Sequence, residues 1–218
     1  MNIFRILGDL SHLASILILI YNIQSTGLID GISFKTQVLY ALVFISRYLD
    51  LLTFNHISIY NTLMKIFFIV SSCYIVVLLQ SFKRKNPIVY KEMIMADTFK
   101  IQFLLAGSLI MALIFNYRYS FIEIMWSFSV WLESVAILPQ LFMLSKTSKA
   151  ASLTVHYIFA LGLYRALYIP NWVWRYAVEN KIDTIALAAG ILQTLIYSDF
   201  FYIYYKKVIR GGGMSLPV

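Results

Sequence analysis

The sequence predicts an all-α membrane protein with seven transmembrane helices. Of its 218 residues, 61% are hydrophobic and only 13% are charged, which leaves too few polar side chains to cover a water-facing surface. A transmembrane helix needs about 20 mainly apolar residues. Seven segments meet this requirement, and they cover residues 4–23, 36–54, 60–81, 98–116, 120–143, 154–174 and 182–205.

The first segment resembles a secretory signal, because Arg5 precedes an apolar run. Polar residues recur inside that run, however, and residues 21–24 hold no cleavage motif of small residues. We therefore expect the segment to be retained as the first helix. The predicted organisation is a transmembrane domain over residues 1–205 and a cytosolic tail over residues 206–218.

Basic residues between the segments predict the orientation of the chain. Its net charge of +8 is located mainly in the connections between apolar segments, where an excess of Lys and Arg marks the cytosolic side. Arg118, Arg175 and Lys181 lie on the poorer side, so the N-terminus is predicted to be lumenal or extracellular. The richer side holds Lys35, Lys83, Arg84, Lys85, Lys91, Lys146, Lys149, Lys206, Lys207 and Arg210.

A weak internal repeat relates the second and sixth segments. When residues 36–50 are aligned with residues 154–168, Thr36 matches Thr154 and Arg47 matches Arg165. Such a duplication predicts two three-helix bundles joined by the fourth helix, as in SWEET-like transporters. Chance similarity between apolar segments is the alternative.

Ionisable residues inside the predicted spans indicate a polar site. Glu133 lies near the middle of the fifth segment, where a carboxylate costs roughly 2.5–3.5 kcal/mol on insertion scales. On the first segment, Arg5, Asp9 and His12 have the spacing of one helix face. His12 is either a hydrogen-bonded interior histidine or a pH sensor, because histidine changes charge between neutral and mildly acidic conditions.

Two further segments carry polar residues at helical spacing. Arg47 and Asp50 share a face of the second helix and either pair with each other or contact opposite ends of a ligand. On the fifth helix, Glu123, Trp126 and Glu133 form a stripe. The stripe ends shortly before Pro139, which we expect to bend the helix.

The sixth segment combines aromatic residues with arginine. Tyr164, Tyr168 and Trp172 follow one another at four-residue spacing and lead to Arg175, with Arg165 and Asn171 beside them. Aromatic stripes most often serve packing, but an arginine at the end offers a planar fork for a carboxylate. A binding wall is therefore the second interpretation.

Three arginines predict an anionic ligand. Arg5, Arg47 and Arg175 are expected in the lumenal halves of their helices, where they would face more than one negative group, while Asp50 and Glu123 would receive a cationic end. The sequence contains no metal-spaced His/Cys cluster, catalytic triad motif or phosphate loop. We therefore expect no enzyme activity, no cofactor, no metal and no nucleic-acid partner.

Several long motifs resemble a known family. They are MNIFRILGDLSH at residues 1–12, RYLD at 47–50, WLESVAILPQL at 131–141, HY at 156–157, GLYRALY at 162–168 and SDFF at 198–201. Together they resemble the KDEL receptors, also called ER lumen protein retaining receptors, in their fungal form. The resemblance covers essentially the whole chain.

This resemblance implies a SWEET/PQ-loop-like fold of seven helices and a receptor function. Such a receptor captures escaped ER residents in the acidic Golgi by their C-terminal HDEL or KDEL signal. It then returns them to the ER in retrograde coated vesicles, in a pH-dependent cycle between ER and Golgi membranes. The alternative is a small-molecule transporter of the SWEET or PQ-loop type, which Pro139, Gln140 and the repeat would suit.

The resemblance also implies roles for individual residues. His12 corresponds to a pH sensor, Glu133 to a buried relay carboxylate that bonds Tyr164 when ligand is held, and Asp199 to an aspartate needed for transport. Lys206 and Lys207 correspond to the cytosolic sorting signal. The implied ligand contacts are Arg5, Arg47, Tyr48, Asp50, Asn55, Glu123, Trp126, Tyr164, Arg165, Tyr168, Asn171, Trp172 and Arg175.

Overall fold

A computed structural model describes residues 2–29, 31–53, 58–147, 152–180 and 182–205, and the regular elements in this part of the chain are all helices, without strands. A short 3-10 helix covers Leu49–Thr53. The α-helices are α1 (Ile3–Thr26), α2 (Phe34–Arg47), α3 (Ile59–Lys85), α4 (Pro87–Ala96), α5 (Gln102–Ile114), α6 (Phe121–Val135), α7 (Leu138–Thr147), α8 (Ser152–Glu179) and α9 (Thr184–Tyr204).

Side-chain caps fix where several helices begin. Asn2 accepts a hydrogen bond from the amide of Arg5 at 2.9 Å, and Ser120 accepts one from the amide of Glu123. Asp183 caps α9 in the same way. These side chains satisfy amides that have no partner inside the helix. At the other end of α1, Gly27 adopts a φ of 64°, a left-handed conformation that glycine accepts without strain.

The helices form two compact units, and the first contains residues 1–32 and 141–218. In this unit α8 packs against α1 and α9. Close approach depends on small residues, because a Cβ on Gly8 would lie 2.7 Å from the ring of Tyr168 and one on Gly162 would lie 2.5 Å from the ring of Tyr197. These two glycines therefore let aromatic rings of neighbouring helices contact the backbone.

The second unit contains residues 33–140. There α2 packs against α3 and α6, α5 packs against α6, and α4 packs against α3. Ser33 caps α2 by accepting a hydrogen bond from the amide of Thr36 and donates its own hydroxyl to Asp97 at 2.8 Å. Gln140 accepts a hydrogen bond from the amide of Ser33, so the segments of Asp97 and Gln140 are both tied to the start of α2.

Every predicted span overlaps a helix, but the bounds differ. The second helix ends at Arg47 and continues as the 3-10 helix, because α2 is capped by Tyr48. The fourth begins at Gln102 instead of 98. Residues 87–96, assigned to a connection, form α4, which has Asn86 as a capping residue and Pro87 in its first turn. Pro87 suits that position because its missing amide needs no partner there.

The predicted bend in the fifth span is a break between two helices. Helix α6 ends at Val135, α7 begins at Leu138, and Pro139 lies in the first turn of α7. The amide of Gln140 donates to Oγ1 of Thr36 at 3.1 Å. The amide of Gln140, just after the break, therefore has a partner on another helix, α2.

Four helical stretches of the described chain are long and apolar enough to cross a membrane. They are Ile3–Thr26, Ile59–Lys85, Phe121–Lys146 and Thr184–Tyr202, and the apolar helix Gln102–Ile114 is shorter. The compact units also group helices differently from the predicted bundles, since α1 belongs with α8 and α9. Seven spans and a SWEET-like arrangement stay predictions.

Candidate functional site

The polar stripe of α1 faces α8 in the first unit. Nε of Arg5 lies 3.8 Å from a carboxylate oxygen of Asp9, whose other oxygen accepts a hydrogen bond from the hydroxyl of Tyr168. His12 is 7% exposed and stacks on the ring of Tyr164, with centroids 4.1 Å apart and planes 8° apart. The predicted shared face of Arg5, Asp9 and His12 is consistent with these contacts.

Arg165 is a buried cation on α8. It is 6% exposed, and its Nε donates to Oε1 of Gln193 on α9 at 2.8 Å. Its Nη2 donates to the hydroxyl of Tyr164 at 2.9 Å. The guanidinium also lies 5.0 Å from the ring centroid of Tyr164 and 6.0 Å from that of Trp172. Aromatic faces attract a cation at such distances.

The remaining residues of the α8 stripe differ in how deeply they are buried. Tyr168 lies between Tyr164 and Trp172 with edge-on ring contacts to both. Asn171 and Trp172 are buried, and Oδ1 of Asn171 is a buried acceptor without a hydrogen bond. Arg175 is exposed and pairs at 3.0 Å with Glu179 one turn later. Screening by water makes that pair weak.

In the second unit, Arg47 and Glu133 form a buried ion pair. Nη1 of Arg47 contacts Oε2 of Glu133, whose side chain is only 1% exposed. Nε of Arg47 donates to the hydroxyl of Ser129 at 3.1 Å, and Nη2 donates to the Ser129 carbonyl at 3.0 Å. Ser129 and Glu133 lie one turn apart on α6, so a single helix face satisfies three nitrogens of one guanidinium.

Asp50 pairs with Lys65 of α3, and thus with a residue that the sequence analysis did not single out. Lys65 also lies over the ring of Tyr48, 5.8 Å from its centroid. The structure does not pair Arg47 with Asp50, which was one of the two interpretations. Arg47 pairs with Glu133 on α6, and Asp50 pairs with Lys65 on α3. The Asp50 carboxylate is half exposed, whereas the Glu133 carboxylate is buried.

The remaining residues of the α6 stripe lie near its first turns. Glu123 is half-buried within the first turn, where a carboxylate interacts favourably with the helix dipole. Trp126 packs on Tyr117, with centroids 6.1 Å apart. Asp199 is exposed on α9. Asn55, Lys206 and Lys207 lie outside the described residues.

Each compact unit contains an arginine whose guanidinium is held by several partners. Arg47 and Arg165 are preorganised by fixed partners on neighbouring helices, and tyrosine hydroxyls lie beside Asp9 and Arg165. Among the residues described, no group of three His, Cys, Asp or Glu side chains could hold a metal ion. Ser129, Lys65 and Gln193 were missed because a lone polar residue in an apolar segment carries no spacing signal.

Comparison with known proteins identifies the family. The model of the ER lumen protein retaining receptor family matches residues 28–175. The ER lumen protein-retaining receptor of Saccharomyces cerevisiae is 72% identical over 218 residues and is covered completely, as is this chain. The chain belongs to the ER lumen protein retaining receptor family. The resemblance inferred from the sequence motifs is thereby confirmed.

Other receptors of this family match over the same length. The ER lumen protein-retaining receptor of Kluyveromyces lactis is 63% identical over 218 residues, which cover 99% of that protein. ER lumen protein-retaining receptor 2 of Xenopus tropicalis is 51% identical over 217 residues, with both chains fully covered. The family is one of receptors and not of enzymes, which also favours the receptor interpretation over a transporter.

Proposed function

We propose that this protein is a membrane receptor that binds the C-terminal His/Lys-Asp-Glu-Leu signal of escaped ER lumenal proteins. The observation that carries the proposal is identity of 72% over the full length with a named retaining receptor. The buried cations agree with the chemistry of such a ligand, which ends in a carboxylate and contains two acidic side chains. The basic first residue of the signal can pair with a carboxylate among the proposed contacts, Asp50 or Glu123.

Roles follow for individual residues. Arg5, Arg47, Arg165 and Arg175 are the proposed contacts of carboxylates of the signal, and Asp50 and Glu123 are the proposed contacts of its cationic end. Tyr48, Asn55, Trp126, Tyr164, Tyr168, Asn171 and Trp172 complete the ligand contacts. The fixed partners of Arg47 and Arg165 support the roles of these two residues, because less side-chain freedom is lost when a held guanidinium binds.

The proposed setting is the ER and Golgi membrane, crossed by seven helices in a SWEET/PQ-loop-like fold. Four stretches of sufficient length and hydropathy support the membrane location. The excess of Lys and Arg on alternate connections supports a lumenal N-terminus and a cytosolic C-terminus. Lys206 and Lys207 would then meet the retrograde vesicle coat, and Asp199 would act in transport.

Binding is proposed to be stronger in the acidic Golgi than in the ER. His12 carries this role, with Glu133 as a relay. The buried stack of His12 on Tyr164 supports it, because a charge change there would alter a contact between α1 and α8. Release in the ER would follow when the histidine loses its proton.

A peptide titration tests the proposed function. The purified full-length protein is titrated with a labelled peptide ending in HDEL and with the same peptide amidated at its C-terminus, both at mildly acidic pH. The free acid should bind saturably and the amide should bind far more weakly, because the arginines lose the terminal charge. Absence of saturable binding by the free acid contradicts the proposal.

A further inference from the structure

Lys65 is a cation of α3 that pairs with a carboxylate proposed to bind the ligand. Its Nζ contacts Oδ2 of Asp50 and lies 5.8 Å from the ring centroid of Tyr48. Asp50 and Tyr48 are both proposed ligand contacts, and all three residues belong to the second compact unit. A positive charge of the protein therefore lies where the proposed function places the cationic end of the peptide signal.

The pair of Asp50 and Lys65 is open to water, unlike the pair of Arg47 and Glu133 in the same unit. The Asp50 side chain is 46% exposed, whereas that of Glu133 is 1% exposed. Water screens an exposed pair and leaves it weak, while separating a buried pair isolates a charge. Lys65 can therefore leave Asp50 at a much lower cost than Arg47 can leave Glu133.

The turn that carries Asp50 has hydrogen bonds of its own. In the 3-10 helix, the amide of Leu51 donates to the Tyr48 carbonyl at 3.1 Å, and the hydroxyl of Thr53 donates to the Asp50 carbonyl at 2.7 Å. Neither hydrogen bond involves Lys65. The backbone around Asp50 is therefore held in place without the ion pair.

Both partners of the ion pair have a further contact available. Within the described part of the chain, Oδ1 of Asp50 is buried and has no hydrogen-bond partner, so the carboxylate has an unused acceptor. The ring of Tyr48 lies near Nζ of Lys65, and an aromatic face attracts an ammonium group. A second cation can therefore contact Asp50 while Lys65 keeps a favourable position beside Tyr48.

We propose that Lys65 is a specificity-determining residue that occupies Asp50 until the cationic first residue of the peptide signal displaces it. This inference rests on the proposed function, because it takes the signal peptide as the ligand. Binding then exchanges one positive charge for another at Asp50, so the first residue of the signal adds less affinity than it would at a free carboxylate. Lys65 thereby reduces the preference for a cationic over a neutral first residue.

Peptides that differ only in the first residue of the signal test this role. Purified full-length wild type and Lys65→Met are titrated at the same pH with peptides ending in KDEL and in ADEL. Without its competitor, Asp50 should hold the peptide lysine more tightly. We expect the ratio of KDEL to ADEL affinity to rise by about two- to fivefold in the variant, the range that an exposed ion pair implies.

Three further variants separate competition at Asp50 from other effects. Lys65→Arg keeps the positive charge and should keep the wild-type ratio. Lys83→Met removes an equal charge from the same helix, about 27 Å farther along its axis, and should also keep the ratio. In the Asp50→Asn background, Lys65→Met should raise the ratio far less, because the carboxylate for which the two cations compete is gone.

The outcomes distinguish the inference from the function on which it rests. If the wild type binds neither peptide, the proposed function fails. If the wild type binds the KDEL peptide and Lys65→Met keeps the wild-type ratio, only the competition is wrong. Equal weakening of both peptides, or an equal rise of the ratio with and without Asp50, would also overturn it. Lys65→Gln keeps the test decisive if the methionine variant does not fold.

Discussion

Glu133 is a buried carboxylate whose charge is compensated by Arg47. Removing one partner of a buried pair leaves an isolated charge and costs about 3–5 kcal/mol. We therefore expect Arg47→Ala to lose peptide binding and also to lower the unfolding temperature. Thermal unfolding of purified protein, measured beside peptide affinity, separates these two effects.

The control is a second substitution at Glu133. In Arg47→Ala combined with Glu133→Gln, the buried charge is gone, so stability should recover while binding stays lost. Arg47→Lys keeps the charge near Glu133 but cannot make all three contacts with Ser129 and Glu133, and its affinity should also fall strongly. Near-normal affinity of the lysine variant would rule out a role for guanidinium geometry.

The second prediction for a single residue concerns the protonation of His12. If its protonation favours the bound state, linkage requires peptide affinity to fall as the pH rises, by at most about tenfold for each pH unit when one proton is coupled. Tyr164 stacks on the ring of His12, and Arg5, Asp9, Arg165 and Tyr168 are further charged or titratable residues of α1 and α8. Peptide titrations from mildly acidic to mildly alkaline pH measure the slope.

Two histidine variants decide where the pH dependence originates. His12→Ala should bind poorly and lose the slope, because it removes both the titrating ring and the stack on Tyr164. His156→Ala, a second histidine of α8, should keep the slope of the wild type. An unchanged slope in His12→Ala would move the sensor elsewhere, with Glu133 as the next candidate.

Individual residues were predictable from the sequence to different degrees. The stripe of Arg5, Asp9 and His12 could be inferred because helical periodicity alone places side chains on one face. The partners of Arg47 and Asp50 could not, because Ser129 and Lys65 are separated from them in sequence and only tertiary packing brings them into contact. Local spacing instead suggested that Arg47 and Asp50 could pair with each other.

At the scale of elements, Asp97 ties the start of α2 to the chain between α4 and α5. Its Oδ2 accepts hydrogen bonds of 2.8 Å from the hydroxyl of Ser33 and from the amide of Lys35. Nζ of Lys35 donates to the carbonyls of Asp97 and Phe99 at 2.6 and 2.8 Å. Asp97 is 2% exposed, so substitution leaves buried donors that water does not easily reach.

Asp97→Ala is therefore expected to destabilise the protein. Each buried donor left without a partner costs about 1–3 kcal/mol, and the unfolding temperature should fall clearly. Asp97→Asn keeps an oxygen acceptor and should lose less. Peptide affinity per folded molecule should be unchanged in both, because these contacts involve none of the proposed ligand residues. Wild-type stability of Asp97→Ala would contradict the structural role of the cluster.

Element boundaries were less predictable than the elements themselves. Hydropathy located the long apolar segments, but it assigned residues 87–96 to a connection although Asn86 and Pro87 form a recognisable helix start. It likewise treated residues 120–143 as one bent helix. Pro139, which lacks an amide donor, lies just after the break at residues 136–137, and Thr36 accepts the amide of Gln140, a contact between segments that periodicity does not reveal.

At the scale of the whole molecule, ligand binding and cytosolic sorting are proposed to use different parts of the chain. The proposed ligand contacts belong to residues 5–175, whereas Lys206 and Lys207 follow the last predicted span. Positive charge on alternate connections predicts that these lysines face the cytosol while the ligand arginines face the lumen. The positions of Lys and Arg along the sequence support this topology without any information on tertiary contacts.

The last prediction uses this separation. Changing Lys206 and Lys207 together to serine should leave peptide affinity unaltered, because groups on opposite sides of a membrane cannot touch the same ligand. In the proposed function these lysines meet a vesicle coat on the cytosolic face, so the variant should accumulate in the Golgi in cells. Peptide titration of purified protein and fluorescence microscopy measure the two properties independently.

The matched control is Arg210→Ser, which removes a positive charge from the same tail without changing the two lysines. It should cycle normally if the lysines themselves are recognised. Accumulation of both variants in the Golgi would instead indicate that total positive charge of the tail determines return. Normal cycling of the double lysine variant would remove these residues from the mechanism, and weakened peptide binding by that variant would contradict the predicted topology.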